Sequence, residues 1–164
     1  MKTLQNLFED GLRDIYYAEL KILDALPKMA EAASAEQLEA AFTEHLSQTE
    51  GHVQRLEQVF ELIGQEVKGK VCPAIDGILK EGEETIKEYA DSPALDAGLV
   101  AAAQAVEHYE MARYGTLARW AQQLDLADAV DLLEATLDEE KLADDLLTQI
   151  AEEIANPEAA DAEA

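Results

Sequence analysis

Apolar residues recur at three- and four-residue steps along most of the chain, the spacing that keeps one face of a helix apolar. From Leu4 they run through Phe8, Leu12, Ile15, Ile22/Leu23 and Leu26, predicting a first helix over residues 3–32. Pro27 falls inside the pattern. It predicts a kink or a change of helix near residues 23–27, because proline lacks an N–H and its ring crowds the preceding turn. Ser34-Ala35-Glu36-Gln37 has the form of a capping box and predicts a second helix over about 35–63. The seam of that helix is Leu38, Phe42, His45, Thr49, His52, Leu56, Val59 and Ile63, stepping as an a/d heptad, and Gly64 is a natural stop.

Residues 65–92 read as a crossover broken by Gly69 and Pro73, with a short helix over about 73–90 whose apolar face is Ile75, Ile78, Leu79 and Ile86. Ser92-Pro93 starts a third long helix, to about 123, and Asp125 is placed to cap the last, over about 126–155. The last seam is Leu126, Val130, Leu133, Leu137, Glu140, Asp144, Leu147 and Ile150; Asn156-Pro157 ends it. The expected organisation is one helical domain over 1–155 and a disordered acidic tail over 156–164, which carries no large apolar residue. Two antiparallel hairpins joined by one long crossover make an all-α, ferritin-like four-helix bundle.

Two of the seams contain a carboxylate where an apolar residue belongs. Glu19 lies in the stripe Phe8, Leu12, Ile15, Glu19, Ile22/Leu23, Leu26, and Glu110 in the stripe Leu99, Ala103, Val106, Glu110, Arg113/Tyr114, Leu117. A carboxylate in a bundle seam costs several kcal/mol unless it is paired, protonated or bound to a metal. Folding the hairpins about residues 34 and 125 sets Glu19 opposite Thr49, flanked by His45 and His52, and Glu110 opposite Glu140, with Asp144 one turn on. The hairpins are related by one offset, since 110 − 19 and 140 − 49 are both 91. Glu19, His45, His52, Glu110, Glu140 and Asp144 thus gather at one level, with Glu107 one turn from Glu110. Imidazole nitrogens and carboxylate oxygens are ligands of iron, manganese and zinc, and a cation would remove the repulsion among clustered acids. Taken singly, each residue also has a plain structural reading. His45 and His52 can be core histidines satisfied by nearby acids, and Glu140 or Asp144 can pair with Arg55, Arg113 or Lys141.

Composition narrows the function. A formal charge of −24 on 164 residues argues against nucleic-acid backbones and anionic membranes, which need a basic surface. The single cysteine, Cys72, allows no intrachain disulfide, and Met1-Lys2-Thr3 leads directly into an amphipathic helix with no signal-peptide pattern. A soluble cytoplasmic protein is expected. Tyr16, Tyr17, Tyr109 and Tyr114 cluster near the level of the acids. There is no phosphate loop, nucleophile elbow or basic patch.

Over residues 4–151 the chain resembles the YciF-like proteins, a ferritin-like family linked to bacterial stress responses. The likeness rests on Asp14-Ile15-Tyr16-Tyr17-Ala18-Glu19, His45-Leu46, Thr49-Glu50-Gly51, Arg55-Leu56-Glu57, Val106-Glu107-His108-Tyr109-Glu110, Tyr114-Gly115-Thr116-Leu117 and Thr136-Leu137-Asp138-Glu139-Glu140-Lys141. It implies a rubrerythrin-like fold and a homodimer. Rubrerythrin-like sites take a Glu from one helix of each hairpin and Glu-x-x-His from the next. Here His52 fits the first His with Thr49 at the Glu position, and Glu139 fits the second Glu with Leu142 at the His position. The set this leaves is Glu19, His45, His52, Glu107, Glu110, Glu139, Glu140 and Asp144 around a divalent metal, iron or manganese, or zinc. The expected function is metal binding in a stress response, with oxidase or peroxidase chemistry. The alternative is a metal-free structural or interaction module; an iron-storage cage is a third reading.

Overall fold

The computed structural model describes residues 1–161. Among them are α1 (Leu4–Ala32), α2 (Glu36–Leu62), α3 (Pro73–Glu88), α4 (Leu95–Gln123) and α5 (Ala127–Ile150). A π-helical turn, Ala151–Ala155, leads into α6, Asn156–Asp161. The antiparallel pairs α1/α2 and α4/α5 pack with α2 against α5 and α1 against α4, while α3 lies on the outside against α4 and α1. This is the expected all-helical bundle with its crossover helix.

The seams fill the core as the periodicity requires. Phe8, Leu12, Ile15, Leu56, Leu99 and Leu117 are each almost fully excluded from solvent. Gly11 sets the distance between α1 and α4, since a Cβ there would come within 2.9 Å of Leu117 Cδ2. The crossover is tied to α1 by the Lys70 N–H, which donates to the Arg13 carbonyl at 3.0 Å. The Tyr17 hydroxyl holds the start of α3, donating to the Asp76 carboxylate at 2.9 Å.

Helix ends differ most from the sequence reading. The capping box forms at Thr3-Asn6, where the Thr3 side chain accepts the Asn6 N–H and Asn6 accepts the Thr3 N–H. None forms at Ser34. The N-cap of α2 is Ala35, and the backbone N–H groups of Ser34 and Ala35 each donate to the buried carboxylate of Asp96 on α4 at 2.8 Å. A charged acceptor reaching across the bundle displaces the local hydroxyl, because it satisfies two free donors and complements the helix dipole. Pro27 does not break α1, whose helix runs on to Ala32. Buried Leu26 and Met29 on either side of the proline anchor those turns to the core.

Gly64 (φ 64°) closes α2 as expected, with the Gln65 N–H donating back to the Phe60 carbonyl at 2.9 Å. Asp125 does not cap α5. It takes the left-handed conformation (φ 59°) that turns the second hairpin, which a short polar side chain tolerates, and Leu126 stands at the N-cap. Ser92 contributes a turn, its Oγ accepting the Ala94 N–H at 3.1 Å, and α4 starts at Leu95. The last helix does not stop at Asn156-Pro157. The wider π turn precedes Pro157, where a missing N–H costs little, and helix continues to Asp161. Residues 162–164 of the expected tail lie outside the described residues. No helix among those described is long and apolar enough to cross a membrane.

Candidate metal centre

The four long helices bring six ionisable side chains to one level of the seam. α1 supplies Glu19 one turn after Ile15, and α2 supplies His45 and His52 seven residues apart. Glu107 and Glu110 come from one face of α4, and Glu140 from α5. Glu19, His52, Glu110 and Glu140 have 0% exposure, Glu107 3% and His45 6%.

They form two adjoining groups. In the first, one ligand atom from each of His45, Glu107, Glu110 and Glu140 lies within 4.8 Å of the others; in the second the same holds for Glu19, His52 and Glu140. Glu140 belongs to both. Its Oε2 is 3.5 Å from His45 Nε2 and its Oε1 is 3.0 Å from His52 Nδ1. Glu107 Oε1 is 3.2 Å from His45 Nε2, and Glu19 Oε1 is 3.4 Å from His52 Nδ1. These are close approaches without hydrogen-bond geometry. Glu19 Oε2, His45 Nε2, His52 Nδ1, Glu107 Oε2 and both carboxylate oxygens of Glu110 and Glu140 have no hydrogen-bond partner. Among the described residues, every buried side-chain polar atom left without a partner belongs to this cluster. An unpartnered buried polar atom costs about 1–3 kcal/mol, so eight at one place demand a reason.

The outer nitrogens of both histidines are held. His45 Nδ1 is 3.0 Å from Gln48 Oε1, and His52 Nε2 is 2.9 Å from Glu139 Oε2. Each outer nitrogen therefore donates, which leaves the inner nitrogen's lone pair to the cluster in the neutral tautomer. That is the arrangement metal-binding histidines use. Glu139 is itself fixed by a bidentate pair with Arg55, both bonds 2.7 Å, and Arg55 also donates to Thr136 Oγ1 at 3.2 Å. On the far side of the second group the Tyr114 hydroxyl, fully buried, donates to Glu19 Oε1.

Electrostatics divides the acids. Burial, reinforced by the Glu140 carboxylate, holds Glu107 and Glu110 well above the usual carboxylate range. Burial alone would lower the His52 pKa, but the adjacent Glu140 and Glu19 carboxylates overcome it and push it up to about 10. Burial would raise Glu140; His52 and His45 outweigh it and keep Glu140 below the usual range. Burial also raises Tyr114, with Glu19 adding to the effect. Without a cation, Glu107 and Glu110 thus hold their protons to higher pH than free carboxylates do, beside His52 and Glu140, each of which favours the other's charged form.

Six of the eight sequence candidates come together: Glu19, His45, His52, Glu107, Glu110 and Glu140. Glu139 stands behind His52 rather than among the inward atoms, one-third exposed on its Arg55 clamp. Asp144 belongs to neither group, accepting from Gln104 at 3.1 Å and lying 3.1 Å from His108 Nε2. Thr49 turns its hydroxyl onto the His45 carbonyl at 2.8 Å, and Leu142 is exposed. Three supporting side chains are not among the candidates: Gln48, Arg55 and Tyr114. Gln48 was readable from its i,i+3 spacing to His45. The Tyr114–Glu19 contact spans 95 residues and leaves no local signal.

Comparison with known proteins agrees with the fold. The chain is 44% identical over 152 residues to protein YciF of Escherichia coli (strain K12), covering 92% of each. Its structure superposes on that of the E. coli stress protein YciF with a TM-score of 0.88, covering 92% of this chain and 96% of that one. YcfI from Rhodopseudomonas palustris, for which a structural role has been suggested, is 52% identical with a TM-score of 0.87, over 90% of this chain and 94% of that one. Residues 3–160 match the family described as Domain of unknown function (DUF892). The chain therefore belongs to the DUF892 family, alongside the stress protein YciF.

Proposed function

We propose that this protein is a ferritin-like metal-binding protein of the bacterial stress response. In this reading the bundle core holds two divalent ions, iron or manganese, with zinc as a competing occupant. His45, Glu107 and Glu110 would hold one, Glu19 and His52 the other, and Glu140 would bridge them. The observation that carries the reading is the set of eight unpartnered buried donor atoms, all on residue types that ligate these metals. The donor set fits the metals in charge as well as kind. Four carboxylates, Glu19, Glu107, Glu110 and Glu140, balance two divalent ions. Iron or manganese would supply one-electron and oxygen chemistry, the basis of an oxidase or peroxidase activity. The chain's own part is to present fixed lone pairs through Gln48 and Glu139, to exclude water around Glu19 and Glu110, and to hold a proton at Tyr114 Oη. Family likeness supports a cytoplasmic homodimer, which size-exclusion chromatography with light scattering checks.

Metal analysis of protein purified without chelator tests the reading. About two equivalents per chain and a melting temperature that rises with added Mn2+ or Fe2+ support it. A chain that takes up none of these metals, and whose melting ignores them, refutes it.

One observation favours a second reading, a metal-free structural or interaction module. Glu107 and Glu110, both shifted toward their neutral form, and the opposite charges of His52 and Glu140 lower the repulsion within the cluster without a metal. That module predicts that Glu110→Ala changes stability and leaves cellular function intact. Loss of function with an unchanged fold and oligomer counts against it.

A further inference from the structure

A pocket of about 190 Å3 runs into the bundle and ends on the candidate metal centre. Its walls are apolar side chains from several helices, chiefly Leu26, Met29, Phe42 and Leu147. His45 and Glu107 line it too, and these same two residues belong to the first ligand group. Both are more than nine-tenths buried, and each has a polar atom with no hydrogen-bond partner, His45 Nε2 and Glu107 Oε2. On the solvent side Leu142 is 67% exposed and Leu146 39%, one helical turn apart on α5. The second group has no such access. Glu19, His52 and Tyr114 are fully buried, and none of them lines the pocket.

Size and polarity narrow the occupant. A dry apolar cavity of about 150 Å3 takes benzene, so about 190 Å3 holds a benzene-sized body with one or two further heavy atoms. The apolar residues of the lining outnumber its polar ones, His45 and Glu107 at the inner end with Gln48 and Glu44, so the pocket favours a largely apolar ligand whose polar group meets the His45–Glu107 end. An anionic head is disfavoured. The metal-filled site is already balanced, Glu44 also lines the pocket, and the whole chain carries −24. A cationic head is disfavoured beside a divalent ion.

We infer that this pocket is a substrate site for a small neutral hydroxylated hydrocarbon, a simple phenol or alcohol, whose oxygen reaches the His45–Glu107 end. The hydrocarbon body lies against Leu26, Met29, Phe42 and Leu147. This names a substrate class for the proposed metal centre and rests on that proposal for any chemistry, but binding itself needs only the pocket.

Calorimetric titration of the full chain with phenol, toluene and benzoate, in metal-free and Mn2+-loaded forms, tests it. Phenol is expected to bind both forms, at least tenfold more tightly than benzoate, and the Mn2+-loaded form at least tenfold more tightly than toluene. Ala143→Leu places three extra carbons on a half-buried lining residue. It should weaken phenol at least tenfold while leaving the metal-free melting temperature and the Mn2+ content unchanged. In the Mn2+-loaded form, relaxation of phenol's protons should be strongly enhanced, and not in Ala143→Leu. Phenol binding that is absent, equal to that of benzoate, or unaffected by Ala143→Leu overturns the inference, even where Mn2+ still binds. Phenol binding blocked by Ala143→Leu in a chain that takes up no metal supports the pocket and overturns the metal centre instead. Should Ala143→Leu fail to fold, Leu146→Trp, on the solvent side of the same pocket, replaces it with the same expectations.

Discussion

The two groups of inward donor atoms share Glu140 yet sit in different surroundings. The His45 group faces an apolar pocket and has only Gln48 behind its histidine. The His52 group is closed, with the Arg55-clamped Glu139 behind its histidine and Tyr114 on its acid. One group is built for access and the other for rigidity. Each group draws on both hairpins, since α2 supplies both histidines and α5 supplies the Glu140 they share. Under the offset of 91 only Glu19 and Glu110 match in type; Glu140 corresponds to Thr49, His45 to Thr136 and His52 to Ala143.

Breaking the shared residue should have the largest effect. Glu140→Ala removes the one side chain common to both groups and a counter-charge of His52. Metal affinity should fall by at least about 100-fold at both positions, more than the 10- to 100-fold typical of supporting residues. Equilibrium dialysis followed by elemental analysis measures it, and loss of one equivalent alone would contradict the sharing.

The pH dependence of the metal-free protein is next. The native fold keeps the His52 proton to about pH 10, whereas the unfolded chain releases it near 6.5. Its stabilisation is therefore complete below pH 6.5 and lost between 6.5 and about 10. The raised Glu107 and Glu110 act in the same direction, their contribution declining as pH rises above the unfolded value of 4.5. Glu140, held low, acts in the opposite direction and only in acid. The melting temperature should fall by on the order of 10 °C from pH 6.5 to 10. Bound metal, which replaces these protons, should flatten the curve and release protons on uptake, as pH-stat titration would show.

Glu139→Gln sharpens the comparison between the groups. It removes the charged partner of His52 while leaving His45 untouched, so one equivalent should weaken about 10- to 100-fold and the other should not. Gln48→Ala should do the reverse. Competition with a chromogenic chelator separates the two. Tyr114→Phe leaves Glu19 Oε1 without its donor and should cost about 1–3 kcal/mol in urea denaturation of the metal-free protein. Asp144→Ala should change metal affinity least, within about twofold, because Asp144 bonds only outward to Gln104 and His108.

The sequence carried the seams and their level but not the shell around them. Glu19 and Glu110 stand out because the helical period is regular on both sides of them, and one offset of 91 pairs their hairpins. Asp144 shows the limit of that arithmetic. At four residues from Glu140 it is turned about 40° further around a 3.6-residue helix, enough to face α4's outer side. Leu147, seven residues on, returns to the core. The cap of α2 was out of reach for another reason. Asp96 reaches Ser34 and Ala35 from another helix, 62 and 61 residues away, and the local Ser34-x-x-Gln37 pattern offered a false candidate. The helical end past Pro157 depended on a π turn that no periodicity of 3.6 announces.

If the six inward side chains hold metal as proposed, manganese occupies the bundle seam. Anomalous diffraction from crystals grown with Mn2+ tests it most directly. Two peaks are expected in the bundle seam, one beside His45 and one beside His52. A seam without anomalous density, with manganese bound only to surface acids, would contradict it.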